Sequence, residues 1–413
     1  MRSARPTAGT PEPGRPGAAA TASAAQGSEA PALSRRRRKF DAALAPDSVD
    51  KKVLAELTWS GVPEGLSRCE VWQLLLGYRP LTRERRQEAL QRKREEYFQL
   101  RSSLYDASPA VIAAAEGAPA TDGEGRSDET ALLLQIRKDL PRTRLRAGVP
   151  AAAGGAGTER SPAELVEQPR FQAIMERVLF VWSVRQPASG YVQGLNDVLL
   201  PLIVVALCDR CDQPVDHLDG GLLDRLSEED CSAVEADCYW CITKILSEIF
   251  DHYTHGQPGI QRMVQRLKGI IRRIDAALAA HLEAQNIDLL HTAFRWITCL
   301  MVRELPMACC VRLWDTLIAE SASHAQTGGS IAAGGGSAGF EALLVYFCAC
   351  FTAYFSARLQ SMDFEAITFF LQQIPTDSFS ESEVEVLLGE AYVLKSLFQQ
   401  APRHLTGDGD ASR

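Results

Sequence analysis

From Phe40 onward, apolar residues recur at the spacing of an α-helix, and the alternation typical of strands is nearly absent. Two such runs are Ile174, Val178, Val181, Trp182 and Leu387, Ala391, Leu394, Phe398. A stripe of this period lets one side of a helix pack against its neighbours. Turns containing Pro or Gly separate the segments. The pattern therefore predicts an all-α architecture of many short helices.

Composition limits the classes of function. With 413 residues and 46% hydrophobic content, the chain can bury the core of one large domain or of two that share an interface. A net charge of -8 argues against a general nucleic-acid binder. Eleven cysteines in apolar segments, without an N-terminal apolar targeting stretch, favour free thiols in the cytoplasm. The longest uncharged run, residues 342–357, predicts a buried helix, so membrane contact would be peripheral at most.

Composition also suggests boundaries. Residues 1–38 are predicted to be a disordered Ala/Pro/Gly-rich tail, and 403–413 a second one, on either side of a domain at 39–402. The tail ends in the basic run 35–39, interpreted as a solvated arm, with weak attraction to anionic lipid as the alternative. Three Ala/Gly/Ser-rich stretches are predicted to be flexible insertions: residues 114–126, 146–160 and 321–339.

The first candidate site lies where a helical pattern reaches a proline that should end the helix near Leu140. Arg142 would project from this stop, and Asp139 could hold its guanidinium through a charge-assisted hydrogen bond. The alternative is an ordinary surface ion pair at a helix end. Arg144 and Arg146 follow closely, so spacing alone leaves open which arginine reaches outward.

The second candidate site is the polar turn 187–197, which leads into an apolar helix predicted at 198–208. Gln193 lies close to the start of this helix, where backbone N–H groups and the positive end of the helix dipole favour a nearby phosphate. Gly194 would allow close approach of a partner's backbone. The alternative is a capped loop in which Gln193 and Asn196 satisfy backbone groups.

Three short motifs occur in order along the chain: Arg68-x3-Trp72, Ile136-x2-Asp139-x2-Arg142 and Tyr191-x-Gln193. They resemble the signature motifs of the TBC-domain family of Rab GTPase-activating proteins. Similar blocks, among them Arg303-Glu-Leu-Pro306 and Arg312-Leu-Trp-Asp315, extend the resemblance over most of residues 40–402. They look closest to the branch associated with Golgi Rabs. The resemblance implies an elongated domain in two helical subdomains, with a signature core at about residues 61–320.

The resemblance also implies a mechanism, in which Arg142 is an arginine finger and Gln193 a glutamine finger in the active site of a Rab in its GTP state. GTP and Mg²⁺ would belong to the partner, and this chain would need no cofactor or metal of its own. Phosphoryl transfer needs positioning and charge stabilisation, which two side chains can supply. The other signature residues would support the fingers: Arg68 and Asp139 as orienting charges, Trp72, Ile136 and Tyr191 by packing, and Asn196 and Asp197 as caps of the next helix. The implied location is cytoplasmic, peripheral at the Golgi or other endomembranes.

Three other interpretations compete with this one. A Rab-binding scaffold would keep the fold without catalysing. A zinc site could use two cysteine pairs, Cys208 with Cys211 and Cys238 with Cys241. An enzyme with its own active site is disfavoured, since the chain has no nucleophile elbow, no His-Glu-x-x-His and no ligand spacing among its seven histidines.

Overall fold

The computed structural model describes residues 35–115, 128–146, 160–326 and 339–400. These ranges are helical almost throughout, and the only strand-like pairing in them is an isolated bridge between Ser48 and Thr82. The all-α prediction is therefore confirmed. The helices are α1 (35–44), α2 (Lys51–Thr58), α3 (Arg68–Leu75), α4 (Arg86–Arg101), α5 (Pro109–Ala115), α6 (Asp128–Asp139), α7 (Pro162–Glu167), α8 (Pro169–Arg185), α9 (Leu195–Arg210), α10 (Glu228–Glu248), α11 (Pro258–Ile274), α12 (Ala276–Ala284), α13 (Leu289–Thr298), α14 (Met307–Gln326), α15 (Phe340–Tyr354), α16 (Ser356–Leu359), α17 (Phe364–Gln372) and α18 (Glu381–Gln400).

The first half of the chain gathers around α9. This helix is buried from Leu195 to Cys208, since it carries no charged residue between Asp197 and its last turn. It packs against α3, α8, α10 and α14. A helix that is covered on all sides is held rigidly by its neighbours, so the residues just before it also have a fixed position.

Buried acids on α10 hold the neighbouring helices in place. The Asp237 carboxylate receives hydrogen bonds from Arg94 at 2.8 and 2.7 Å and from the Tyr78 hydroxyl at 2.7 Å. Glu235 pairs with Arg177 at 2.5 Å and accepts a hydrogen bond from Tyr97 at 2.7 Å. Each carboxylate is satisfied by several donors, so these contacts fix the packing of α4 and α8 on α10.

The second half gathers around α15, which is buried from Phe340 to Thr352 and packs against α11, α14 and α18. The buried helix predicted over 342–357 is thus confirmed, although it ends at Tyr354. None of the helices in the described ranges is both long and apolar enough to cross a bilayer. Because α14 contacts helices of both halves, the buried apolar side chains form one continuous cluster.

The basic run differs from its prediction in part. Residues 35–39 belong to α1, and the Arg36 guanidinium donates to the carbonyl oxygens of Ser60 and Gly61. Arg37 donates to the Glu64 carbonyl at 3.3 Å. The run is therefore the start of a helix that is held at Arg36 and Arg37, while Arg35, Arg37, Arg38 and Lys39 are exposed, as expected of a solvated run.

The predicted insertions and tails lie largely outside the described residues. The exceptions are short. Residues 321–326, at the start of the third predicted insertion, continue α14, and Ser321 is buried. Arg146 and Arg160, at the two ends of the second insertion, are both held by side-chain hydrogen bonds.

Candidate functional site

The first finger candidate sits on a tight turn. Helix α6 ends at Asp139, and Leu140–Arg142 form a 3₁₀ turn with Pro141 near its start. The Arg142 side chain is 56% exposed, and its Nη1 lies 3.4 Å from Oδ1 of the buried Asp139. The helix stop and the Asp139–Arg142 contact predicted from sequence are both present, so the carboxylate limits where the guanidinium points.

The structure also separates the three neighbouring arginines. Arg146 is held in place, since it donates to the carbonyl oxygens of Arg303 at 3.3 Å and Glu304 at 3.1 Å and to Asp377 at 2.6 Å. Arg144 is exposed. Of the three, Arg142 combines exposure with a carboxylate that orients it, and this favours it as the residue that reaches a partner.

The second finger candidate precedes α9. Gln193 is exposed, and Gly194 is the N-cap residue, with φ at +109°. A Cβ on Gly194 would lie 3.0 Å from Thr298 Cγ2 and 3.2 Å from Cys299 Sγ. Both the left-handed backbone and the close packing therefore require glycine. The turn places Gln193 beside the N-terminus of a 16-residue helix, where a phosphate is favoured.

A buried hydrogen-bond network joins the two turns. Asn196 donates from Nδ2 to Thr143 Oγ1 at 2.9 Å, and its Oδ1 accepts from the Gly194 N–H at 3.2 Å. The Tyr191 hydroxyl lies 3.3 Å from both Asp139 Oδ2 and Asn196 Oδ1. Burial, together with the negative charge of Asp139, raises the pKa of Tyr191, so the hydroxyl stays a donor. The network therefore holds the turns that carry Arg142 and Gln193 together.

The capping roles expected for Asn196 and Asp197 are met only in part. The N-cap residue of α9 is Gly194, which has no side chain to cap the helix. Asn196 accepts from the Gly194 N–H and also links the two turns. Asp197 is buried and faces the end of α13, where its Oδ2 lies 3.5 Å from Cys299 Sγ and 3.8 Å from Arg303 Nη1. Burial raises the pKa of Asp197 to about 6.

The first signature motif joins α3 to α14. Asp315 of α14 is fully buried and accepts hydrogen bonds from Arg68 Nε at 3.2 Å, Trp72 Nε1 at 2.7 Å and the Val62 N–H at 2.8 Å. Arg68, expected to be an orienting charge, pairs with Asp315. Ile136 is a core residue of α6, as expected.

Two supporting residues were missed in the sequence. Thr143 follows Arg142 directly, and this position beside a finger candidate was the only sign in the sequence that it could belong to the site. Asp315 lies in the Arg312–Asp315 block that carries part of the family resemblance, yet nothing in the linear pattern pairs it with Arg68 or Trp72. Both residues make contacts that depend on the tertiary fold.

The cysteines that were considered as zinc ligands face other protein groups. Cys238 and Cys241 line a small apolar space beside Trp72, and the Cys211 thiol faces the Leu222 carbonyl at 3.6 Å. Among the described residues, the one group of possible metal ligands is Asp251, His252 and Glu341. There, the Arg262 guanidinium lies 2.8 Å from Asp251 and 3.3 Å from Glu341, so a cation already balances the two carboxylates.

Comparison with known proteins places this arrangement in a family. The model of the Rab-GTPase-TBC domain matches residues 122–332, which include the turns that carry Arg142 and Gln193. GTPase-activating protein gyp1 of Schizosaccharomyces pombe is 37% identical over 379 residues, covering 91% of this chain and 64% of the relative. TBC1 domain family member 22B of Homo sapiens is 36% identical over 370 residues, covering 89% of this chain and 63% of the relative.

The same relationship holds in three dimensions. The crystal structure of the Ypt/Rab-GAP domain of Gyp1p superimposes with a TM-score of 0.72 and 32% identity, covering 89% of this chain and 99% of that domain. This chain belongs to the Rab-GTPase-TBC domain family. It spans a little under two thirds of the length of the curated relatives named above.

Proposed function

We propose that this protein is a GTPase-activating protein for a Rab-type small GTPase and that it supplies Arg142 and Gln193 to the partner's active site. The observation that carries the proposal is the pair of exposed finger residues on two turns joined by the Asn196–Thr143 hydrogen bond. Family membership supports it, as does the name of the fission-yeast relative, a GTPase-activating protein.

In this proposal each finger has one task. Arg142 offsets negative charge that develops between the β- and γ-phosphates, and its planar, permanently charged guanidinium suits that task. Gln193 orients the attacking water through its neutral amide. GTP and Mg²⁺ come with the partner. Asp139 restricts the guanidinium before the partner binds, which lowers the entropy lost on docking.

The test uses the wild-type chain in catalytic amount with a panel of GTP-loaded Rabs, and it measures hydrolysis in a single turnover. Faster hydrolysis on at least one Rab supports the proposal and identifies the substrate. A scaffold would instead bind a GTP-loaded Rab and leave its GTP lifetime unchanged. The Golgi location implied by the resemblance is a separate prediction, tested by imaging the tagged protein.

Replacing Gln193 by alanine is expected to lower the catalysed rate roughly 10²-fold, because the water loses an oriented hydrogen-bond partner. Single-turnover hydrolysis on the responsive Rab measures the loss. Gln135→Ala is the control, since Gln135 is also an exposed glutamine but lies on α6. Full activity of Gln193→Ala would show that the glutamine takes no part in the mechanism.

Gly194→Ala is expected to lower the rate on the order of 10²-fold while the protein remains folded, because the added Cβ pushes the Gln193 turn away from Thr298 and Cys299. Gly190→Ala provides the control. Gly190 also has a positive φ, of +64°, but a Cβ there would meet no atom within 4 Å. Equal losses in the two variants would attribute the effect to backbone strain and not to crowding at Gly194.

A further inference from the structure

A strained turn follows α13 and contacts the two segments that carry the finger candidates. In the turn at residues 299–304, Leu300 and Met301 are buried and have φ values of +48° and +65°. Two consecutive non-glycine residues in the left-handed backbone region cost conformational free energy, and they persist only where the surrounding structure holds them. Here the Met301 N–H donates to the Trp296 carbonyl at 2.9 Å, and Trp314 Nε1 donates to the Leu300 carbonyl at 3.2 Å.

The 299–304 turn contacts the segments that carry both fingers. On the arginine side, Arg146 donates to the carbonyl oxygens of Arg303 and Glu304. On the glutamine side, Cys299 packs on Gly194 and its thiol faces Asp197. A third element therefore supports the two turns that the Asn196–Thr143 hydrogen bond already joins.

The charged contact in this support is between Arg303 and Asp197. Asp197 lies one helical turn beyond Gln193, in the first turn of α9, and its carboxylate is almost fully buried. The Arg303 side chain is 35% exposed, with Nη1 at 3.8 Å from Asp197 Oδ2. The other groups that act on this carboxylate are the Cys299 thiol, Asp139 and Arg295. A buried carboxylate that loses its cation is strongly disfavoured, so the pair constrains the start of α9.

We propose that Arg303 is a positioning residue for Gln193 and acts through the Asp197 carboxylate, which anchors the first turn of α9 against the 299–304 turn. This inference rests on the proposed function. Arg303 does not take part in the chemistry; it sets where the glutamine amide meets the attacking water. Arg142, fixed by Asp139 on the other turn, is expected to be unaffected.

The pair should make the glutamine contribution depend on pH. Because burial raises the pKa of Asp197 to about 6, the carboxylate is ionised at pH 7.5 and becomes protonated as the pH falls through about 6. Protonation removes the attraction to Arg303. The catalysed rate of wild type is therefore expected to fall between pH 7.5 and 5.5, and Asp197→Asn should flatten that part of the profile.

The test measures single-turnover rates against the concentration of the activator for Arg303→Ala, Arg303→Lys and Asp197→Asn. Arg303→Ala and Asp197→Asn are expected to lower the maximal rate about tenfold with the half-saturating concentration unchanged. Arg303→Lys should recover most of the rate, because a contact of 3.8 Å depends on charge more than on guanidinium geometry. In the Gln193→Ala background, Arg303→Ala should cause no further loss.

Three results would overturn the inference. Arg303→Ala could keep the wild-type rate, it could raise only the half-saturating concentration, or it could cause its full loss of rate again in the Gln193→Ala background. The last two would indicate that Arg303 contacts the partner. Thermal unfolding controls for folding, and Asp197→Asn should melt no lower than wild type at pH 7.5, since it removes a buried charge. If wild type activates no Rab, the proposed function fails independently of these variants.

Discussion

Arg142→Ala is expected to remove nearly all GTPase activation, with a rate loss of about 10³- to 10⁵-fold on the responsive Rab. The transition state spreads negative charge over the transferring phosphoryl group, and alanine leaves that charge without its cation. The truncation removes a 3.4 Å contact from the buried Asp139 carboxylate, which keeps the Tyr191 hydroxyl as a donor. The variant should therefore unfold close to the wild-type temperature and still bind the GTP-loaded partner.

Two further variants sharpen this prediction. Arg142→Lys keeps the charge but loses the planar fork, so it should recover only a small part of the rate. Arg144→Ala removes an exposed cation two residues away and should change the maximal rate less than tenfold. The assignment of the finger would be wrong if Arg144→Ala lost activation and Arg142→Ala retained it.

Local sequence was enough to predict the two finger turns. The proline after Leu140 ends α6, and the uncharged run after Asp197 makes α9 a buried helix. Both signals act over a few residues and concern backbone preference and burial. The assignment of Arg142 and Gln193 as fingers came from the ordered motifs and stays a prediction until the variants are measured.

The contacts between the turns could not be predicted, because they depend on tertiary structure. Asn196 and Thr143 are 53 positions apart, and only the packing of α6 on α8 and of α8 on α9 brings them together. Asn196 near a helix start is typical of a residue that bonds local backbone groups, and its Oδ1 does accept from the Gly194 N–H. Local preference does not predict the longer contact, in which the Asn196 amide nitrogen donates to Thr143.

The contacts of the basic run at the start of the described chain could not be predicted, for the same kind of reason. Charge patterning describes how a segment interacts with water, and a run of arginines is usually solvated. Arg36 instead finds the carbonyl oxygens of Ser60 and Gly61 just beyond α2. Such acceptors cannot be identified from sequence, because only the tertiary structure brings the end of another helix beside the run.

Asp315→Ala is expected to lower the free energy of unfolding by about 3–5 kcal/mol. The carboxylate is fully buried and is the common acceptor for Arg68, Trp72 and the Val62 N–H. Its removal leaves a largely buried guanidinium and an indole N–H without their partner. A loss of that size is a large part of the stability of an ordinary domain, so reversible urea unfolding is the measurement.

The matched variants separate charge from hydrogen bonding. Asp315→Asn keeps one oxygen acceptor where the carboxylate serves three N–H donors. Its loss should be smaller than that of alanine but still substantial, because Arg68 loses the charge of its paired carboxylate. Glu283→Ala removes an exposed acid that pairs with Arg272 and should cost well under 1 kcal/mol. If Asp315→Ala cost no more than Glu283→Ala, Arg68 and Trp72 would have to be satisfied in another way, and the first motif would not serve to anchor α14 beneath α3.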